Sequence, residues 1–396
     1  MSSARVESSR LGGGIDEEAV VIEIGSLYTK CGYSREALPR SIIRNPESLI
    51  SLTHESSKED YYPILRDFLQ IIYLHKVQKS PKDSATILCE GLMAPRGLIE
   101  ATVKILLEDL QVPILYIIMS NSLPLYTTGS YTGLLIDAGY FGVDILPIYE
   151  GIPIINSFVS ADCGGKALLS SYKNILEASN PGHRFSLETV EDIVARLSII
   201  PYGKLRKELQ ERPTANKIYN FIPLKHNRAI SVDFKQRLIP ESIFFGEYSQ
   251  DSSNIAASIL RSLQTCDIDT RKQLINSIIV SGGCAMMIGF MERLEEELLD
   301  LLHNEPDFSN IKPLADYVQI NQTPYPRNLL TWIGASIFGS LPGLDRFSLN
   351  LETYQQKGLE DKLGRYYLFG DRPSLQEIYQ TQNLPMERMR LSFIRL

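Results

Sequence analysis

Residues 134–165 read LLIDAGYFGVDILPIYEGIPIINSFVSADCGG, and this stretch decides the fold. Its opening apolar run predicts a buried strand that ends on one carboxylate, Asp137. A tight turn that starts at Gly139 leads to a second strand over 143–149, and residues 152–155 predict a third. A strand-end carboxylate followed by a glycine turn can hold a metal-bound phosphate, and the same pattern also suits an ordinary hairpin.

The same device occurs a second time, earlier in the chain. Residues 20–35, VVIEIGSLYTKCGYSR, contain an apolar strand, an acid at Glu23, one spacer, Gly25 and a second strand-like segment. Helix-like and strand-like sequence separates the two copies. Repeated units of strands and a helix imply two similar halves, so we expect an α/β protein built by duplication.

Composition narrows the class of protein. A chain of 396 residues suits two domains, and 44% hydrophobic with 22% charged residues is typical of a soluble globular protein. The net charge is −7 without a basic tract, which argues against nucleic acid as a partner. The longest apolar runs are far shorter than a membrane span, so no membrane-spanning segment is expected.

The cysteines favour a reducing compartment. Their number is odd, they are widely spaced, and no C-x-x-C pair occurs, which argues against both a disulfide framework and a zinc site. The first 18 residues are rich in Ser and Gly and lack the apolar core of a signal peptide, so they read as a flexible leader of a cytoplasmic protein. The five cysteines are Cys31, Cys89, Cys163, Cys266 and Cys284.

Hydrophobic periodicity predicts the remaining elements. Strands are expected over 84–90, 112–118 and 277–280. Helices are expected over 62–77, 97–110, 122–129, 164–178, 186–197, 254–263, 267–276, 291–302 and 332–341.

Together with IIVSGGCAMMIGF (278–290) and NLLTWIGASIFGSL (328–341), the two hairpins resemble the actin-related protein family over residues 20–341. The resemblance implies an actin-like, ribonuclease H-like duplicated fold. Two facing halves, each with a mixed sheet and flanking helices, would then surround a nucleotide cleft. The implied divisions are a leader (1–18), a first half (19–129) with a shortened second subdomain (about 41–62), a second half (130–327) with a peripheral subdomain (about 170–255), and a return to the first half with a divergent tail (328–396).

The resemblance also implies a site for ATP with Mg²⁺. The magnesium ion would be held indirectly, through water, by Glu23 and Asp137. The positions that match the family's nucleotide-binding residues are Gly25, Ser26, Lys30, Asp137, Gly139, Asp162, Gly165, Gly282, Gly283 and Met286.

Five positions depart from the family pattern, three of them at groups that act in turnover and two beside the purine. Tyr140 replaces a second acid, and Asp144 and Ser120 replace the histidine and glutamine that position the attacking water. Val194 and Ala195 replace a lysine–glutamate pair beside the purine. A water nucleophile must be positioned as well as present, so we expect no catalytic residues, no enzyme activity and little or no ATP hydrolysis.

Within the family, the chain is most similar to members that cap the pointed end of the dynactin filament. The segments SLQTCDIDTRKQL (262–274) and PIYEGIP (147–153) and residues 164–168 carry this similarity. The stretch from 39 to 87 is also shorter in this chain than in the rest of the family. The chain therefore lacks the loop with which actin reaches into a neighbouring subunit. The resemblance therefore implies a cytoplasmic, cytoskeletal protein that supports dynein-driven transport along microtubules. Its expected partners are an actin-like protomer at the filament end and other pointed-end dynactin subunits.

Two other functions stay open at this point. An ATPase or kinase of the actin and sugar-kinase group would need a catalytic base, for which Asp144 is the one nearby candidate. An actin-related subunit of a chromatin-remodelling complex is less favoured, because no basic nuclear-import cluster is visible. The tail, 342–396, carries aromatic residues that could dock partners or cover the protein's own surface: Tyr366, Tyr367, Phe369 and Tyr379.

Overall fold

The computed structural model describes residues 18–53, 55–211, 218–223, 229–248, 254–341, 344 and 348–359. Almost all of the leader, and the four tail aromatics, lie outside the described residues. The chain forms two compact units, one within 1–127 and 331–372 and the other within 128–330. The domain and subdomain boundaries given above stay predictions.

The described residues contain thirteen strands and twelve α-helices. The strands are β1 (Val20–Ile24), β2 (Tyr28–Tyr33), β3 (Ser41–Arg44), β4 (Thr86–Glu90), β5 (Leu115–Met119), β6 (Gly133–Ala138), β7 (Val143–Tyr149), β8 (Ile152–Pro153), β9 (Val159–Ala161), β10 (Ile218–Phe221), β11 (Ile230–Asp233), β12 (Ile278–Ser281) and β13 (Ser348–Leu349). The helices are α1 (Glu47–Ile50), α2 (Lys58–Ile71), α3 (Arg96–Lys104), α4 (Gly165–Ser179), α5 (Leu187–Leu197), α6 (Gly203–Glu211), α7 (Ile239–Phe244), α8 (Ile255–Thr265), α9 (Ile268–Ile275), α10 (Phe290–Asn304), α11 (Leu330–Phe338) and α12 (Leu351–Lys357).

The first unit contains a mixed six-stranded sheet in the order β13-β5-β4-β1-β2-β3. Strand β1 pairs in parallel with β4 and antiparallel with β2, so the first hairpin lies inside the sheet. Trp332 is completely buried, and its Nε1 donates a hydrogen bond to the Val21 carbonyl, 3.3 Å away. A Cβ at Gly32 would lie 2.7 Å from the Trp332 ring, so only glycine at this position lets the indole reach the sheet.

The second unit contains a mixed five-stranded sheet in which β12, β6, β7 and β8 lie in that order and β9 pairs with β7. The predicted second strand, 143–149, is confirmed as β7. The predicted third strand is shorter than expected, because β8 ends at Pro153 and a 3₁₀ turn begins at Ile155. A proline has no N–H to continue a ladder, which agrees with an end at that residue.

Helix α2 shows where local chemistry sets a boundary that periodicity misses. The Ser57 hydroxyl accepts a hydrogen bond from the Asp60 backbone N–H, and the Asp60 carboxylate accepts one from the Ser57 N–H, which completes a capping box. The helix therefore begins at Lys58, four residues before the predicted start, because its first turn is polar and carries no apolar signal. It continues beyond Ile71 as a π-helical turn, Ile72–Val77, to the predicted end.

The predicted capping of α5 is confirmed. The Ser186 hydroxyl accepts a hydrogen bond from the Thr189 backbone N–H at 3.2 Å, and Glu188 lies in the first turn. Among the described residues, none of the helices combines the length and the apolar character needed to cross a membrane.

All five cysteines are buried as free thiols. Loss of hydration disfavours the thiolate, so burial raises the pKa of Cys163 and of Cys284 to about 12 and that of Cys31 to about 11.

We expect these thiols to react slowly with an aromatic disulfide reagent in the native protein at pH 8. A thiol with a pKa of about 12 has only about one part in ten thousand as thiolate at that pH, and the side chains are also inaccessible. Unfolding in guanidinium should release all five at once. A Ser51→Cys variant, at an exposed position, serves as the fast-reacting control. Rapid reaction of more than one wild-type thiol before unfolding would contradict the burial described here.

Candidate functional site

In the first unit, the register of the first hairpin places Glu23 directly opposite Lys30. The Lys30 ammonium forms an ion pair with Glu23 Oε1, and their side chains are only 12% and 13% exposed. The second carboxylate oxygen, Glu23 Oε2, is buried and accepts no hydrogen bond from the described residues. The lysine expected to neutralise phosphate charge is thus already engaged by the acid expected to face the metal.

The turn after Glu23 is closed by its own backbone. The Gly25 N–H donates to the Tyr28 carbonyl at 3.1 Å, and a Cβ on Gly25 would lie 2.8 Å from the same oxygen. Ser26 is part of this turn and is partly exposed. The glycine is therefore needed for the turn itself, and its amide is used within the hairpin.

Asn45, which sequence reasoning did not single out, ties this turn to the end of β3. Its side-chain amide donates to the Gly25 carbonyl at 2.6 Å, and its Oδ1 accepts a hydrogen bond from the Thr29 hydroxyl at 2.7 Å. It is 3% exposed. The only sequence signal is a polar residue directly after a strand, which is too common to identify a site.

In the second unit, Asp137 lies near the end of β6 and Gly139 begins the turn. The Gly139 N–H donates to the Gly142 carbonyl at 2.9 Å, which closes the turn. Asp144 lies opposite Asp137 in the β6–β7 register. It accepts a hydrogen bond from the Ser160 hydroxyl at 2.7 Å, across the β7–β9 pair. The candidate base is thus part of a sheet contact.

The start of α4 docks on the same turn. The backbone N–H groups of Gly165 and Lys166 donate to the carbonyls of Gly139 and Tyr140, at 3.0 and 2.7 Å. A Cβ at Gly164 would lie 2.6 Å from the Tyr140 carbonyl oxygen. These amides at the helix N-terminus are therefore satisfied by the turn, and the glycine allows the close approach.

Asp162, just before α4, is exposed, whereas Gly165 is buried beneath the Tyr140 side chain. Asp162 is therefore accessible to a ligand. Gly165 packs against Tyr140.

Gly282 follows Ser281, the residue that pairs with Asp137 in the β12–β6 register. Its φ is +100°, and a Cβ there would lie 2.3 Å from the Ala138 carbonyl and 2.7 Å from Asp137 Oδ1. The Ser281 hydroxyl donates to the Ile136 carbonyl at 3.3 Å. The structure therefore brings Asp137, Gly139 and Gly282 together within one unit, as the β12–β6 pairing requires.

Arg327 is bonded to the backbone on both sides of Ser281. The sequence did not point to this residue. Its Nη1 donates to the Val280 carbonyl at 3.0 Å, and its own carbonyl accepts the Gly282 N–H at 3.2 Å. Burial lowers the pKa of its guanidinium below the usual value. No local pattern marks this arginine, because the Val280 and Gly282 backbone groups that it contacts lie far from it in sequence.

Gly283 and Met286 are exposed. A Cβ on Gly283 would meet no atom within 4 Å, and Met286 is 50% exposed. Val194, in contrast, is a buried residue of α5, and Ala195 beside it is exposed. These two positions therefore place no charged side chains beside a purine.

Phosphate and metal chemistry fits part of this arrangement. Glu23 Oε2 is a buried oxygen without a donor among the described residues, and Asp137 lies beside the Gly282 turn. No group of three or more His, Cys, Asp or Glu side chains that could hold a metal occurs in the described part of the chain. Mg²⁺ commonly keeps several waters and uses one or two carboxylates with phosphate oxygens, so a water-mediated role suits each acid within its own hairpin. The individual site residues stay predictions.

A sequence profile of the family described as Actin matches residues 62–216 and 214–361. Actin-related protein 10 of Dictyostelium discoideum is 25% identical over 410 aligned positions, which cover 85% of this chain and 86% of that protein.

The Gly282 turn offers a sharp test of the local geometry. We expect Gly282→Ala to lower the free energy of unfolding by at least about 1–3 kcal/mol. The left-handed φ and the clash with the Ala138 carbonyl oxygen both oppose a Cβ at this position. Urea denaturation followed by circular dichroism measures the change. The matched control is Gly283→Ala, with φ −67° and open space, which should stay within about 0.5 kcal/mol of wild type. Equal effects of the two changes would contradict the geometry.

Proposed function

The chain belongs to the actin family, and we propose that it is a structural, actin-related subunit that caps the pointed end of the dynactin filament. Its similarity to Actin-related protein 10 supports membership of an actin-related branch. The segments named in the sequence analysis support the dynactin branch. The observation that carries the proposal is the short, self-contained connection between β3 and α2.

Within its described residues, that connection contains no loop long enough to reach another subunit. After β3 ends at Arg44, the chain forms the one-turn helix α1 and enters α2 at Lys58. Leu49 is buried, and the Tyr61 hydroxyl donates to the Thr53 carbonyl at 2.9 Å. With the Asn45 contacts described above, these bonds hold the connection against its own unit.

A subunit of this kind can join a filament through one end and leave the other end without the element that extends it. Head-to-tail assembly requires complementary surfaces on both ends of each subunit, so removing one surface terminates growth. Under this proposal the chain contacts the terminal actin-like protomer and other pointed-end subunits. It then acts in the cytoplasm, on the cytoskeleton, in dynein-driven transport.

The proposal includes ATP with Mg²⁺ held for structural reasons and hydrolysed slowly or not at all. Members of the actin family generally bind a nucleotide with Mg²⁺, which supplies charge neutralisation for the phosphates. Hydrolysis also needs a group that orients the attacking water. At the positions expected to supply one, Asp144 is bonded by Ser160 and Ser120 has a short hydroxyl side chain. These features support a non-catalytic role.

Capping is tested with labelled protein and preformed filaments of the actin-like protomer. We expect one labelled chain at a single filament end, and no further subunit addition at that end. Size-exclusion chromatography with dynactin pointed-end subunits should give a joint peak, while chromatin-remodelling subunits serve as the control and should elute separately. Incorporation along the filament length, or co-elution with the remodelling subunits, would reject the proposal.

The nucleotide claim is tested by denaturing purified protein and identifying the released nucleotide by chromatography. We expect ATP that persists over hours of incubation with Mg²⁺, because the groups that orient water are replaced. Actin treated in parallel is the positive control for conversion. Steady appearance of ADP and phosphate from this chain would show that Tyr140, Asp144 and Ser120 do not disable turnover.

A further inference from the structure

We propose that the open edge of β3 binds one extended segment of a partner protein, in which acidic side chains flank an apolar one. Strand β3 lies at one end of the six-stranded sheet and pairs only with β2 among the described strands. A strand at a sheet edge presents backbone hydrogen-bonding groups, and a further strand can be added to it by main-chain pairing. Neither nucleotide binding nor filament capping is needed for this contact.

The register of β3 on β2 fixes which backbone groups face the open edge. The N–H of Asn45, the residue after β3, donates to the Leu27 carbonyl at 2.8 Å, so the backbone of Asn45 faces β2. In an antiparallel pair this direction alternates from one residue to the next, so the backbone of Ile43 also faces β2. The N–H and carbonyl groups of Ile42 therefore point away from β2, into the open edge.

The side chains at this edge combine an apolar group with two cations. Ile42 is 50% exposed, although it lies within a strand. Arg44 lies two residues later on the same face of the sheet, where its guanidinium is 5.8 Å from the centre of the Tyr28 ring. Arg40 lies just before the strand, and its side chain is 47% exposed. An added strand thus meets an apolar side chain with a positive charge towards each end.

Both arginines have exposed acidic partners in their own chain. Arg40 forms an ion pair with Glu36 at 2.8 Å, and Arg44 lies 3.6 Å from Glu47, whose side chain is 75% exposed. Exposed ion pairs contribute little free energy, because water screens them and ordering the side chains costs entropy. An acidic side chain on an added strand can therefore replace these partners at small cost, whereas a lysine in its place is repelled.

A second copy of the chain is a poor occupant of the same edge. Two β3 strands related by a twofold axis would run antiparallel. With Ile42 opposite Ile42, Arg40 of each copy would lie beside Arg44 of the other, and like charges opposite each other destabilise a strand pair. The arginines therefore favour an acidic partner segment over self-pairing. The four-residue length of β3 limits that segment to a short strand.

The first experiment uses the full-length chain and a labelled peptide, TETVTET, whose binding is followed by fluorescence anisotropy. We expect Ile42→Pro to weaken this binding at least about tenfold, which corresponds to about 1.4 kcal/mol, because proline has no N–H to offer at the open edge. Proline is tolerated on edge strands where the N–H faces away from the sheet, so the variant should keep its fold. The matched control is Ile42→Val, which keeps the N–H and should bind as wild type does.

A second peptide, TKTVTKT, tests the charge preference. It has the same length and the same apolar residue, and we expect wild type to bind it at least about tenfold more weakly than TETVTET. Arg40→Glu should reduce this difference, because it reverses one of the two positive charges at the edge.

Amide hydrogen exchange on wild type tests the same pairing without a variant, and it decides the matter if Ile42→Pro does not fold. With excess TETVTET we expect slower exchange of the Ile42 amide, whereas the Ile43 amide, which faces β2, should change little. Three results would each overturn the proposal: no binding of TETVTET by wild type, equal binding of the two peptides, or unchanged exchange at Ile42 when the peptide is bound. Equal binding by wild type and a folded Ile42→Pro would overturn it as well.

Discussion

The parallel pairing of β12 with β6 is the constraint on which the second unit's site depends. It presses the Gly282 backbone against the Ala138 carbonyl and Asp137, at distances that leave no room for a Cβ. The amide at the start of α4 then bonds the Gly139 carbonyl in the adjoining turn. Three glycine-containing segments from distant parts of the sequence are thereby packed at one strand end.

This packing gives the glycines at the strand end structural roles that do not depend on a ligand. Gly282 and Gly164 are required by backbone contacts inside the unit, because a Cβ would lie 2.3 Å from the Ala138 carbonyl oxygen at the first and 2.6 Å from the Tyr140 carbonyl oxygen at the second. Asp144, at a position where the resemblance implies a group that orients water, accepts a hydrogen bond from the Ser160 hydroxyl across the sheet.

In the first unit, different contacts hold the acid and the turn at the end of the strand. Its strand-end acid is paired with the lysine on the neighbouring strand, and Asn45 fastens the turn between them. The connection that follows is short and bonded to its own unit. Both features keep this region bonded within its own unit.

Much of the local structure was determined by sequence alone. Strand β7, the amphipathic helices and the Ser186 cap depend on apolar periodicity and on hydrogen bonds within a few residues, so the sequence around them is sufficient. The repeated acid-and-glycine hairpins likewise identified the family. The strand-end placement of Glu23 and Asp137 could also be predicted, because each acid directly follows or closes an apolar run.

Only the tertiary structure decided which residues contact Glu23, Asp144 and the Gly282 turn. Strand register set Lys30 opposite Glu23, and the pairing of β7 with β9 gave Asp144 to Ser160. Arg327 reached the Gly282 turn from a segment 45 positions away in sequence. The Glu23–Lys30 contact depends on the exact register of a hairpin, and the other two join residues too far apart in sequence to leave a local pattern.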